Sequence, residues 1–305
     1  MAEPIVTHAL GKTFGKVRAL EDVSLRVPQG QVVGLIGSNG AGKSTLLKVL
    51  VNLQPPSSGR ADILGHDSRS LRAPIFEQVG YMAEGQGLPA VRTVGELLDY
   101  CRPFYRTWDH HLATRLLATL DLRATTGLPR ASRGERVKAA LVATLAFRPR
   151  LLILDEPLEG LDPLTREQVV DGLLELVSAE GTSVLMASHD LDVLERLLDE
   201  VAMLHGSRLL FQERLDDLQE RYRLVEVAGV AQSAAAGLPE HCLDVRETGT
   251  GIQFLATRFD ETGGLARLQA SFPGSSIHVT RPALREAFVA HARALRGAKD
   301  MRGAA

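Results

Sequence analysis

The sequence predicts an α/β protein built on a parallel sheet and followed by a smaller α/β domain. Two short apolar runs, residues 31–37 and 151–156, have the near-continuous hydrophobicity of strands buried on both faces. A third such run, 183–189, follows a helical pattern at 165–178. Strand, helix and strand at this spacing imply a right-handed crossover between parallel strands. Near residue 222 the regularity changes, and Ala and Gly become dense over 228–237.

Along the chain, the first 60 residues read as β-rich and then pass from strand to helix. The helix after 31–37 is predicted over 44–53, with Leu46, Leu47, Leu50 and Leu53 on one face and Pro55 and Pro56 as its stop. Helical spacing at 96–100 and 112–122 predicts an all-helical insert over about 85–145. Residues 201–204 and 208–211, joined through His205, Gly206 and Ser207, predict a hairpin at the sheet edge. Further on, 225–230 and 251–257 predict strands, and 282–296 an amphipathic helix with Leu284, Phe288 and Leu295 on one side. The expected domains are therefore 1–221 and 222–305.

A length of 305 residues fits one large domain or a medium domain plus a small one, and 45% hydrophobic with 24% charged residues excludes wholesale disorder. A formal net charge of −2 gives no reason to expect a nucleic-acid partner. Cys101 and Cys242 lie in no C-x-x-C pair, so two free thiols in a reducing compartment are expected. Residues 1–10, with Glu3, Pro4 and His8, lack the apolar run of a secretory signal. No window approaches the roughly 20 apolar residues that span a bilayer, so a membrane role is expected to come through a partner.

The strongest chemical signal is Gly37-Ser38-Asn39-Gly40-Ala41-Gly42-Lys43-Ser44, with Thr45 after it, a match to G-x-x-x-x-G-K-[ST] placed after a strand and before a helix. Glycines let the backbone wrap an anion with its N–H groups pointing inward, and the helix aims its positive dipole end at the same place. Lys43 would reach the β- and γ-phosphates, and the Ser44 hydroxyl would ligate Mg²⁺. The second signal is the strand 151–156, which ends in two carboxylates where open α/β sheets bind ligands. Asp155 suits Mg²⁺, and Glu156 suits a general base on the attacking water.

With these two elements in place, residues 4 to about 220 resemble the ABC (ATP-binding cassette) ATPases. Thr13-Phe14-Gly15 resembles the segment whose aromatic residue stacks on adenine, here Phe14. Residues 79–84 occupy the place of the Q-loop, with Glu84 instead of glutamine and Gln86 two residues on. Ala131-Ser132-Arg133-Gly134-Glu135 stands where the family has L-S-G-G-Q. Gly160-Leu161-Asp162 resembles the D-loop, and Ser188-His189-Asp190 ends a strand like the switch histidine. The resemblance implies a P-loop NTPase fold with a RecA-like core, an antiparallel β subdomain and a helical subdomain. It implies ATP and Mg²⁺ as ligands, with Ser44, Glu84 and Asp155 on the metal and Glu156, His189 and Lys43 in catalysis. Ser132, Gly134 and Glu135 would meet nucleotide. Ser132 and Glu135 also form the S-x-x-E pattern of a helix capping box, and both roles can hold together.

The family also implies a second ATP-binding subunit, in a homodimer or a heterodimer, and separate transmembrane permease subunits that hold the chain at the cytoplasmic face of the membrane. Residues 280–288 resemble the end of ATP-binding subunits from the exporter branch for drugs, polysaccharides or lipids. Arg281, Arg285, Arg293, Arg296, Lys299 and Arg302 make that end basic, read as a solvated helix face or an approach to anionic lipid. Two other readings stay open: a soluble ABC ATPase of translation or repair, and a low-turnover nucleotide sensor.

Overall fold

A computed structural model describes residues 3–189, 191–230, 238–239 and 241–303. The chain divides into two compact units, Met1–Gln212 and Glu213–Ala305. This boundary lies ahead of the expected 221/222, because the helix that follows the last strand of the first sheet groups with the second unit.

In the first unit, β1 (Ile5–Phe14) pairs antiparallel with β2 (Val17–Val23) and with β3 (Arg26–Val27). Next, β4 (Val32–Ile36) runs into the phosphate loop and α1 (Lys43–Leu50), and β5 (Ser58–Ile63) and β6 (His66–Asp67) complete an antiparallel layer ordered β2-β1-β5-β6. A short α2 (Ala73–Phe76) leads to β7 (Val79–Met82). The helical insert is α3 (Val94–Cys101), α4 (His110–Thr119) and α5 (Arg133–Leu145), followed by β8 (Leu151–Asp155), α6 (Pro163–Glu180), β9 (Ser183–Ser188), α7 (Leu191–Leu194), β10 (Glu200–His205) and β11 (Arg208–Arg214).

The larger sheet has the order β11-β10-β4-β9-β8-β7 and is parallel from β10 through β7. Every residue of β4, β8 and β9 is buried, which is why these segments read as unbroken apolar runs. Leu46, Leu47 and Leu50 of α1 pack into the core shared by both sheets. Leu53 does not join them: Asn52 adopts a left-handed conformation (φ 57°) just past the helix end, and Leu53 is 63% exposed. The insert has its own core of Val94, Leu97, Leu122, Leu128, Ala139 and Ala143. The β10–β11 hairpin turns at Gly206 (φ 54°) and Ser207 (φ 72°), the paired positive φ of a twist-matched two-residue turn.

In the second unit, α8 (Leu215–Arg221) precedes β12 (Arg223–Ala228), β13 (Cys242–Glu247), β14 (Gly251–Ala256), α9 (Gly264–Ser271), β15 (Ser276–Thr280) and α10 (Leu284–Gly303). The four strands form an antiparallel sheet ordered β13-β14-β12-β15 over a core of Val225, Val227, Ile252, Phe254 and Phe272. On α10 the buried stripe is Leu284, Ala287 and Ala290, with Phe288 and Leu295 only half-buried. Arg281 and Arg293 are committed to ion pairs with Glu261 (3.8 Å) and Asp244 (3.4 Å), and the side chains of Arg296, Lys299 and Arg302 lie outside the described residues. Cys101 and Cys242 are free thiols. Among the described residues no helix is long and apolar enough to cross a membrane.

Candidate functional site

The fully buried β4 ends at Ile36, and the chain turns through 37–42 into α1. The turn leaves no room for side chains at two points. A Cβ on Gly42 (φ 108°) would lie 2.4 Å from the Ala19 carbonyl oxygen, and one on Gly37 would lie 2.5 Å from that of Leu204. The loop residues 38–45 line a cavity of about 320 Å³ together with residues 17–19, Glu84, Glu156, Glu159 and His189.

Lys43, 6% exposed, donates to the Gly37 carbonyl at 2.8 Å and stands 3.4 Å from Glu156 Oε1, whose side chain is 7% exposed. The Ser44 hydroxyl donates to Asp155 Oδ1 at 3.1 Å. Burial pushes the Asp155 carboxyl above its ordinary value, the Ser44 hydrogen bond draws it back, and the charge of Glu156 raises it again. Glu156 follows β8 directly with a left-handed backbone (φ 48°), a conformation rare outside glycine and costly unless its surroundings impose it. Its N–H donates to the Ala187 carbonyl of β9 at 2.9 Å. Its Oε2 accepts the His189 N–H at 3.2 Å and lies 2.9 Å from His189 Nδ1. The ends of β4, β8 and β9, adjacent in the sheet, thus bring Lys43, Glu156 and His189 to one place.

Glu84, just past β7, lines this cavity; Gln86 lines a neighbouring one, and its side-chain oxygen accepts the Ala83 N–H at 3.1 Å. The Glu84 carboxyl is pushed up, first by a hydrogen bond with Glu159, then by burial and by the charges of Glu159, Asp155 and Glu156. Glu159 was missed in the sequence. Its signal was a second carboxylate, three residues after Glu156, in the loop between β8 and α6. Val17 and Arg18 of the cavity wall were missed too, since β2 carries no phosphate-binding motif.

The remaining predicted residues lie apart from the cavity wall. Phe14 pairs with Val17 across β1 and β2, is 44% exposed, and has Lys12 Nζ 4.9 Å from its ring centroid. Ser132 caps α5 in a complete capping box: its hydroxyl accepts the Glu135 N–H at 3.1 Å, and Glu135 accepts the Ser132 N–H at 2.8 Å. Gly134 packs against Thr165. Arg133 reaches Glu159 at 3.7 Å. Asp162 caps α6 through Thr165, and Asp190 lies outside the described residues.

The donor set fits a divalent cation. Glu84, Glu156 and Glu159 line the cavity with Lys43, the Asp155 carboxyl lies beside them on the Ser44 hydroxyl, and the carboxyls of Glu84 and Asp155 are pushed up. Oxygen ligands of this kind, one a hydroxyl, suit a hard ion. Among the described residues no group of three or more His, Cys, Asp or Glu side chains is placed to hold a metal ion by itself.

Residues 20–159 match the family described as ABC transporter. Over 95% of this chain and 96% of its relative, the sequence is 31% identical to the daunorubicin resistance ATP-binding protein DrrA3 of Streptomyces coeruleorubidus. It is 27% identical to the bacitracin transport ATP-binding protein BcrA of Bacillus licheniformis over 94% of each chain, and 31% identical to the phosphonates import ATP-binding protein PhnC of Rhizobium etli over 82% of this chain and 92% of that one. A solved ATP-binding subunit of an ABC transporter superposes with a TM-score of 0.64 at 30% identity, covering 71% of this chain and 92% of that one. An ATP-binding cassette solved as a dimer with ADP and Pi shares the fold, with a TM-score of 0.62 at 23% identity over 69% of this chain and 98% of that one. The phosphate loop at the end of β4, the paired carboxylates at the end of β8 and these matches agree: the chain belongs to the ATP-binding, ATP-hydrolysing proteins of ABC transporters.

Proposed function

We infer that this chain is the ATPase subunit of an exporter, working as a homodimer beneath separate permease subunits at the cytoplasmic face of the membrane. The observation that carries the ATPase reading is the buried convergence of Lys43, Glu156 and His189 on the phosphate loop. The export direction is supported by coverage. The alignments with the daunorubicin and bacitracin proteins run through 95% and 94% of this chain, against 82% for the phosphonate importer.

The triphosphate sits on the amides of 38–45, where Lys43 exchanges its Gly37 and Glu156 contacts for the β- and γ-phosphates. Ser44, Asp155 and Glu84 are the side chains that would hold Mg²⁺, which when bound neutralises charge on the transferring phosphoryl group. Released from Lys43, Glu156 orients and deprotonates the attacking water, and His189 holds the Glu156 carboxylate in place and faces the γ-phosphate. Phe14 takes the adenine. Ser132, Gly134 and Glu135, which lie apart from their own chain's cavity, serve the nucleotide of the second subunit in a two-fold sandwich. ATP then favours the closed pair, and hydrolysis releases it.

The test combines two measurements. The protein, expressed with membranes of its source, should co-purify with a polytopic membrane protein that stimulates its phosphate release. ATPase activity without any membrane partner would favour a soluble ABC ATPase. Tight ATP binding with negligible turnover, in isolation and with the permease, would favour the nucleotide sensor for which Glu84 argues.

A further inference from the structure

The second unit contains a cavity that the nucleotide chemistry does not use. It has a volume of about 600 Å³ and lies between β14, the segment after it and α9. That is within the roughly 300–1,000 Å³ of small-molecule sites. Its apolar lining includes Phe254 and Phe272, 1% and 8% exposed, with Phe259 and Leu268 packed against the same core. Aromatic walls facing a gap lose the dispersion contacts a close-packed interior would give, so an apolar occupant would gain them.

The polar side of the cavity carries an unbalanced charge. Arg267 is 2.9 Å from Asp260, and Asp260 also accepts hydrogen bonds from the Thr262 N–H and hydroxyl, so that pair is internally satisfied. Arg258, on the same lining, has no hydrogen bond or ion pair among the described residues. Cys242 adds no compensating charge, because burial pushes its thiol up to about 11. An apolar chamber beside one uncommitted guanidinium is complementary to a molecule with an apolar body and one acidic group.

We propose that the second unit binds one amphipathic organic anion in this cavity, a carboxylate or sulfonate whose hydrophobic part lies against Phe254, Phe259 and Phe272 and whose acid group pairs with Arg258. This site is separate from the nucleotide cavity and does not depend on the direction of transport.

Anilinonaphthalene sulfonate and its neutral analogue phenylnaphthylamine are suitable probes for the full-length protein. The sulfonate should bind one saturable site per chain and at least tenfold more tightly than the neutral probe. Arg258→Gln should abolish that difference between the probes. Ser271→Trp, which places an indole in the chamber from its rim, should remove the binding of both. Both substituted positions are exposed, and ATP hydrolysis should be unchanged in either variant. Equal affinities for the two probes in the unsubstituted protein, a preference for the sulfonate that survives Arg258→Gln, or sulfonate binding that survives Ser271→Trp, would overturn the proposal.

Discussion

The carboxyl groups of Glu84 and Glu159 share the wall of the nucleotide cavity, where Glu159 is the first cause raising the Glu84 pKa, and Arg133 reaches the same Glu159 at 3.7 Å. The signature-like loop, the loop after β8 and the loop after β7 are therefore linked within one chain. Two of the three residues, Glu84 and Arg133, are among the positions where the sequence departs from the family pattern.

Replacing Glu84 with glutamine keeps a side chain able to meet Mg²⁺ and removes a negative charge beside the γ-phosphate. Repulsion between unit charges about 4 Å apart is worth about 1 kcal/mol even at the dielectric of water, or about fivefold in rate. Glu84→Gln should accordingly raise turnover several-fold and lower the Mg²⁺ concentration for half-maximal rate, read by phosphate release across a Mg²⁺ titration. Unchanged turnover together with an unchanged Mg²⁺ requirement would show that Glu84 has no part in gating.

Glu156 is tethered from two sides before nucleotide arrives, by Lys43 at 3.4 Å and His189 at 2.9 Å. Glu156→Gln removes the base and leaves the phosphate loop intact, so turnover should fall by about 10²–10⁴-fold while ATP binding persists and a dimer accumulates on size exclusion. Lys43→Ala should instead lose nucleotide affinity itself. A Glu156→Gln protein that stays monomeric at saturating ATP would argue against the two-fold sandwich.

Most of the first unit was legible because its strands are buried on both faces. An unbroken apolar run such as 151–155 admits few readings, and its terminal carboxylates are fixed by where it stops. Leu53 was misread because helical spacing says nothing about a left-handed Asn52 one residue earlier. The second unit was less legible. In β15 the residues Ser276, His278 and Thr280 are exposed and Ile277 and Val279 only half-buried, so its alternation is faint. Glu159 was missed although it stands three residues from Glu156, since its interaction with Glu84 exists only after folding.

The capping box at α5 offers a way to separate stability from catalysis. Ser132 and Glu135 satisfy each other's N–H groups within one chain, whatever the partner does. Losing the cap through Ser132→Ala should cost about 1 kcal/mol of stability, read by denaturant unfolding of the nucleotide-free protein. A residue that also meets the second subunit's γ-phosphate should lose far more in turnover than that figure explains. A turnover loss no larger than the stability loss would leave Ser132 as a cap alone.

In the second unit, His291 Nε2 lies 2.9 Å from the Tyr222 hydroxyl, and burial, with a smaller contribution from Arg221, lowers its pKa to about 4. An unfolded histidine titrates near 6.5. Between those values the unfolded chain binds more protons than the folded one, so stability rises with pH there and is lost as pH falls from about 6.5 toward 4. The full effect is on the order of 3 kcal/mol. His291→Gln keeps a polar partner for Tyr222 and removes the titration. The melting temperature of the histidine protein should therefore fall relative to that of the glutamine variant as the pH is lowered from about 6.5 to 4.5, because only the histidine form carries an acid penalty. Parallel pH profiles would mean that His291 charges freely in the folded protein and that solvent reaches the Tyr222 contact.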